Sequence, residues 1–340
     1  MKVAYAYEFD AADPMVQSGR PAAIRNALTR RGANVLPVFP LNQNLKWLYA
    51  PKMLYYRRMG KIYRFDREPR FLHSIAWQAH RRLRSLQPAV VFTPGSLLAA
   101  KLRTAAPVVF CADATFANVL DVYDSFSNCA PEFVSQGHAL ERDALAHCAA
   151  AIYPSEWAAQ SAIEDYGADP SRVHVLPFGA NVEAPDSDTV DGWIAARDLS
   201  PLRLLFVGRE WERKGADTVL AACSHLHAAG YAVSLDLVGI DAPPVALPDW
   251  AHNHGLLDKR NSEQRAHLHT LYANSHGLLC AVPGGKLRHG LLRGRRPWPA
   301  QPGHRRRRHP HHRAPRQDRL HAAATGARQR VGCPARPGDR

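Results

Sequence analysis

L-R-L-L-F-V-G-R-E-W-E-R-K-G, residues 202–215, decides how the rest of the chain is organised. Leu202 to Val207 is a short apolar run of the kind that forms a buried strand. Arg209 and Lys214 sit in the turn after it, and Gly215 opens a helix-like segment, A-D-T-V-L-A-A-C-S-H-L-H-A-A-G. A strand, a glycine, two cations and a helix N-terminus bring fixed positive charge and free backbone N–H groups to one place, which suits a diphosphate. A solvated loop between strand and helix has the same composition, and both readings stand at this point.

Downstream, the pattern predicts a helix over 215–229, a strand over 233–239 (V-S-L-D-L-V-G), a Pro-rich loop, a helix over 262–275 and a strand over 276–282. Upstream, K-V-A-Y-A-Y-E-F (2–9) reads as a strand and S-G-R-P-A-A-I-R-N-A-L-T-R-R-G as a helix. Ser18 is its expected N-cap, Pro21 lies in its first turn and Gly32 closes it. Strands are expected over 33–39, 88–94, 106–116, 150–155 and 172–181, with helices over 71–86, from Ser96, over 131–148 and over 156–166. Alternation of this kind gives open parallel sheets, in which ligands bind beyond the carboxyl ends of strands. Asp113, Ser155 and Gly179 fall at such ends. Asp113 reads either as a carboxylate for a sugar hydroxyl or proton transfer, or as the cap of the next helix. Gly19 reads either as a close approach to ligand or as a turn residue. The polar, acidic stretch 183–200 reads as a linker carrying one short helix. Residues 42–70 interleave aromatics with Lys and Arg; the reading is an amphipathic surface with rings packed inward and cations outward, with single-stranded nucleic acid as the competing reading.

The chain has 340 residues, enough for two domains, and a formal net charge of +14. That excess is local. Of 44 Lys and Arg, 16 lie in 286–340 beside two acidic residues, Asp318 and Asp339, so that residues 1–285 hold 28 of each sign. Six scattered cysteines without a C-x-x-C pair fit reduced thiols. The N-terminus does not read as a signal peptide, and no run approaches the length of a membrane-spanning helix. The expectation is a cytoplasmic protein, compatible with peripheral association at the inner face of a membrane.

Several of these stretches together resemble the glycosyltransferase family 4 enzymes: S-G-R-P-A-A-I, Y-P-S-E-W-A-A, P-F-G-A-N, F-V-G-R-E-W-E-R-K-G, L-D-L-V-G and L-H-T-L-Y-A-N-S-H-G-L-L. The resemblance spans about 1–282. It implies an α/β fold of two Rossmann-like domains facing across a cleft (GT-B), divided as an N-terminal acceptor domain (1–182), the linker (183–200) and a nucleotide-sugar-binding domain (201–285) that is incomplete. It implies transfer of a sugar from a nucleotide-sugar donor to a glycan, lipid or small-molecule acceptor, with retention and with no cofactor or essential metal. By the same resemblance Gly19, Gly208, Arg209, Lys214 and Gly239 bind donor. Asp113, Arg209 and Lys214 are its catalytic candidates, and Ser155, Gly179 and Asn181 its acceptor or cleft residues.

After Val282 the likeness stops. The family expects E-x-F-G-x-x-x-x-E-A-x-x-x-G-x-P and then a D-x-G-G turn, whereas 286–340 has no Ile, Phe or Tyr, one Val and four Leu. Codons for Gly285 to Arg288 read one base later allow E-S-F-G, those around Trp298 allow H-G-L-P, and those for His304 to His312 allow T-D-V-G-G-I-P-T-I. The expectation is a shifted frame beginning near 278–285, an aberrant, disordered tail, and loss of the segment whose two glutamates contact donor sugar and ribose in the family. Two other functions stand beside transfer. One is nucleic-acid binding through R-R-R-R at 305–308, although no specific nucleic-acid partner is expected. The other is a nucleotide-sugar epimerase of the same fold.

Overall fold

The computed structural model of the chain describes residues 1–179, 185–198 and 200–281. Readings that concern Asn181 and the segment from Val282 onward, the tail and its frame included, lie outside the described residues.

The first half runs β1 (Lys2–Ala6), α1 (Arg20–Arg30), β2 (Asn34–Val38), α2 (Ala50–Arg58), α3 (Pro69–Leu86), β3 (Val90–Thr93), α4 (Ser96–Ala99), β4 (Val108–Cys111), α5 (Phe116–Val119), α6 (Pro131–His147), β5 (Ala150–Tyr153), α7 (Glu156–Glu164) and β6 (Val173–Val175). Its six strands pair in parallel in the order β2-β1-β3-β4-β5-β6. Parallel strands are covered on both faces, which is why V-V-F recurs in β3 and β4 without polar alternation. On one face Ala4, Val91, Phe110 and Ala151 belong to the same core as α3, whose Phe71, Leu72, Ile75, Ala79 and Leu83 recur at helical spacing. Each of its buried large side chains contributes roughly 1.5–3 kcal/mol. On the other face Tyr5 packs on Phe92, and its hydroxyl donates to the Pro21 carbonyl at 2.9 Å, fixing the start of α1.

The second half runs α8 (Ser187–Ala195), β7 (Leu202–Val207), α9 (Trp211–Lys214), α10 (Ala216–Ala228), β8 (Val233–Val238), β9 (Ala251–Asn253), α11 (Ser262–Asn274) and β10 (Gly277–Leu279). Its four described strands are parallel in the order β10-β7-β8-β9. Phe206, Leu235 and Leu237 pack with Val219 and Cys223 of α10 on one face; Leu205 and Val238 pack with Leu268 and Leu271 of α11 on the other.

Several expectations change. Ser18 is not the N-cap of α1. The chain turns left-handed through Gln17 (φ 45°), Ser18 (φ 59°) and Gly19 (φ 81°), so Gly19 is the cap residue and no side chain caps the helix. An N-cap side chain needs an extended backbone to reach the first-turn N–H groups, and Ser18 is not extended. The strand expected over 172–181 shrinks to three residues at the edge of the sheet, and Val175, which pairs with Tyr153, and Leu176 are exposed there. β9 was hidden in the Pro-rich loop, and α9 interrupts what reads as a plain turn. In 42–70 the rings divide: Tyr49, Phe65 and Tyr63 pack inward, whereas Trp47 and Tyr55 are exposed.

One buried carboxyl makes stability depend on pH. Glu141 of α6 accepts from Ser96 Oγ at 2.7 Å and from Tyr153 Oη at 3.4 Å, and burial pushes it up to about 7. Between its ordinary value and 7 the folded chain holds a proton that the unfolded chain releases. This contribution to stability is therefore full at low pH and is lost as pH rises through 7. Glu141→Gln is expected to remove on the order of 2 kcal/mol of the decline between pH 5 and 8. Urea unfolding at the two pH values checks it, and an undiminished decline in the variant would overturn it.

Candidate functional site

Two sheets of this connectivity each have a point where strand order reverses, and loops leaving the strands there diverge to open a crevice. In the first sheet that point lies between β1 and β3, in the second at β7, between β8 and β10. A cleft of about 980 Å³ is lined by the loops from both points. It contains Asp113, Ser155, Gly208, Arg209, Lys214 and Gly239 of the residues singled out from sequence, and Ser18 beside Gly19. Gly179 is exposed and is not among the lining residues, although its neighbour Phe178 is.

The β7 loop is built around glycine. A Cβ on Gly208 would stand 2.7 Å from Cγ of Lys214, so the missing side chain is the space that the Lys214 stem occupies. Gly239, at the end of β8, has φ 94°, and a Cβ there would lie 2.7 Å from the Gly208 carbonyl oxygen. The two strand ends therefore approach as backbone on backbone. One turn, α9, carries the chain from Glu210 to Lys214, and Glu210 accepts from Arg213 Nη2 at 2.6 Å within it. Lys214 thus ends one helical turn immediately before α10 begins, and Arg209 is exposed at the end of the strand.

Asp113 does not cap the next helix. Thr115 does, accepting from the Asn118 N–H while the Asn118 side chain accepts from the Thr115 N–H. The Asp113 carboxylate is instead paired with Arg20, whose guanidinium also donates to Gln17 Oε1 and, at 3.2 Å, to the Pro94 carbonyl. Arg20 is 5% exposed and Asp113 65%, so the arginine is a buried post and the carboxylate stands in the cleft. Ser155 caps α7, its Oγ accepting from the Ala158 N–H at 3.4 Å, and lines the cleft from there.

Three cations in the cleft escaped sequence reading. Arg64 enters from the loop after α2, Arg213 lies 5.7 Å from the Tyr123 ring, and Lys259 donates to the Ser18 carbonyl at 3.0 Å. Lys259 also sits 3.4 Å from where a Gly19 Cβ would be, which joins the loop before α11 to the left-handed turn before α1. Around the whole cleft the charged lining is Arg64, Arg209, Arg213, Lys214 and Lys259 against Asp113 and Glu210. Fixed positive charge from both sheets, glycine-edged on one side, is suited to a polyanion. Behind Asp113 a smaller cavity of about 190 Å³ is lined by Tyr7, Glu8, Arg20, Thr93 and Ser96. The Tyr7 hydroxyl is buried without a partner among the described residues, and burial pushes the Glu8 carboxyl up to about 7.

Residues 22–184 match the model of Glycosyltransferase Family 4. The likeness read from the sequence motifs thus recurs in the N-terminal half of the chain, where residues 22–184 are similar to the glycosyltransferases of family 4. Its fold is that of the GT-B glycosyltransferases. Sucrose-phosphate synthase from Thermosynechococcus elongatus superposes with a TM-score of 0.54 at 14% identity, over 82% of this chain and 74% of that one. A glycosyltransferase from Rickettsia africae gives 0.47 at 14% identity, over 83% and 73%. The Anabaena protein HepE, solved with UDP and glucose, gives 0.39 at 12% identity, over 86% and 72%. No curated protein matches the sequence.

Among the described residues no helix is long and apolar enough to cross a membrane, and no group of three or more His, Cys, Asp or Glu is placed to hold a metal ion.

Proposed function

We propose that the chain moves a sugar from a nucleotide-sugar donor to an acceptor hydroxyl, with retention at the anomeric carbon and without an essential metal. The observation that supports it is the convergence of Arg209, Lys214, Arg213 and Lys259 on one glycine-edged cleft. As the glycosidic bond to phosphate breaks, negative charge grows on the departing diphosphate. Cations already in place stabilise that charge without reorganisation, which is where most of the rate enhancement would arise. Arg209 and Lys214 are assigned to the diphosphate, with Gly208 and Gly239 letting it approach the backbone. Asp113, held by Arg20, is assigned to a hydroxyl of the reacting sugar or acceptor. Gly19 is assigned to the donor from the N-terminal side, Ser155 and the small cavity beside Tyr7 belong to the acceptor side of this assignment, and Gly179 has no place in it.

The reading extends to activity. The residues after Val282 do not follow the family pattern that supplies the two donor-contacting glutamates, so transfer by this chain is proposed to be weak. The test is incubation of the 340-residue protein with UDP-, GDP- and ADP-linked sugars in EDTA. Expected are donor-nucleotide binding unchanged by the chelator and turnover about 100-fold or more below that of an intact family member. Turnover comparable to the intact enzyme would refute the impairment, and loss of binding in EDTA would refute the metal-free site. Analysis of products from donor alone separates epimerisation from transfer.

A further inference from the structure

The carboxylate of L-D-L-V-G has no part in the cleft. Side chains alternate along β8: Leu235 and Leu237 pack with α10, so Asp236 and Val238 face α11. Val238 meets Leu268 and Leu271 there, whereas Asp236, its side chain 18% exposed, meets a histidine. His254 follows β9 directly, and its backbone N–H donates to the Leu237 carbonyl at 2.9 Å. Its Nε2 lies 2.7 Å from Asp236 Oδ1. Its Nδ1 lies 3.1 Å from Nε2 of His267, on the second turn of α11.

These contacts fix where the protons are. A carboxylate only accepts, so His254 carries its proton on Nε2 and presents the Nδ1 lone pair to His267. His267 is exposed, so water can serve its other ring nitrogen in either tautomer. Moving its proton to Nδ1 turns a second lone pair toward the first.

We propose that His254 and His267 are the two protein ligands of a zinc ion that clips α11 to the end of β9, with water in the remaining positions. Imidazole suits Zn²⁺, and two Zn–N bonds of about 2.0–2.1 Å hold their nitrogens about 3.4 Å apart at a tetrahedral angle. The observed 3.1 Å needs only a small separation to admit the ion. The ring centroids, 5.0 Å apart, are closer than two rings joined end to end across that contact would be. The nitrogens therefore already meet at an angle, as two ligands of one ion do. Asp236 supports the site from behind, because a carboxylate on the far nitrogen orients a ligating imidazole and raises its basicity. That carboxylate is committed to His254 and is no third ligand, in keeping with the lack of any larger ligand group among the described residues. None of the three side chains lines the cleft. The ion is structural, and the proposal stands whether or not the cleft transfers sugar.

The test is calorimetric titration of the metal-stripped full chain with Zn²⁺ at about pH 7.5, where imidazoles are neutral, together with thermal unfolding. The tail carries His304, His309, His311 and His312, so the number of ions bound decides nothing by itself. The comparison is with His267→Ala, whose side chain is exposed, and unchanged circular dichroism confirms its fold. Expected is one zinc ion fewer per chain in the variant. With zinc at roughly ten times its Kd, the wild type should unfold about 3 °C higher than without it, a gain that His267→Ala lacks. Zinc on the tail gives no such gain if it binds folded and unfolded chains alike. Asp236→Asn keeps both ligands and should bind the ion about 10- to 100-fold more weakly. Equal stoichiometry and equal thermal gain in the wild type and His267→Ala leave the histidine pair sharing a proton only and overturn the proposal. Wild-type affinity in Asp236→Asn overturns the role given to the carboxylate.

Discussion

Lys214→Ala is expected to weaken binding of a nucleoside diphosphate by roughly 10- to 100-fold, the equivalent of one charge-assisted hydrogen bond. The reason lies in how the residue is held. Its stem fills the space left by the missing Gly208 side chain, so the ammonium is delivered to the end of β7 with few alternatives. Arg209→Ala should cost a similar factor. The double variant should lose less than the product of the two, because neighbouring cations on one ligand share its charge. Isothermal titration with UDP and with GDP measures this, and an affinity unchanged in Lys214→Ala would remove the diphosphate from this loop. Lys214→Arg is a useful second variant. It restores charge but not shape, since a guanidinium is broader than an ammonium where Gly208 leaves room only for a methylene stem.

Asp113→Ala is expected to act twice. Arg20, at 5% exposure, would keep its bonds to Gln17 and Pro94 but lose its counter-charge, and a buried charge so stranded costs about 1–3 kcal/mol of stability. The cleft would also lose its carboxylate, lowering any sugar transfer by about 100-fold if that group accepts a proton or orients a hydroxyl. Asp113→Asn separates the two effects: the amide oxygen still accepts from Arg20 and should recover most of the stability, while transfer stays low. Urea unfolding and turnover, measured on both variants, give the comparison. A stable Asp113→Ala protein would mean that Arg20 does not depend on the pair.

What the sequence revealed follows from how each element is stabilised. β7 was legible to the residue because a strand covered on both faces must be apolar along its length, and Leu202 to Val207 nearly is. β9 was not, because three residues between a Pro-rich loop and a glycine carry no period. Without β9 the loop after it has no position, and Lys259, which reaches Ser18 across the cleft, could not be placed. Arg20 gives no signal of its own in the sequence. Its burial depends on Asp113, distant in sequence and close in space, and no local pattern encodes that pairing. Ser18 misled for the opposite reason: the residue type is a common helix cap, but its backbone is left-handed.

The carbonyl of Ala281 lies against Gly215, where a Cβ would come within 1.9 Å of its oxygen. Position 281 is also next to Val282, where the resemblance read from the sequence ends. The glycine that ends the cation loop and the backbone at 281 are thus in direct contact, and position 215 has no room for a side chain while 281 stays where it is. For protein engineering this makes Ala281 a natural suture. A family-type segment joined there would start from a backbone already set beside the cation loop, and it would give a direct comparison between the chain as it is and a chain that carries that segment.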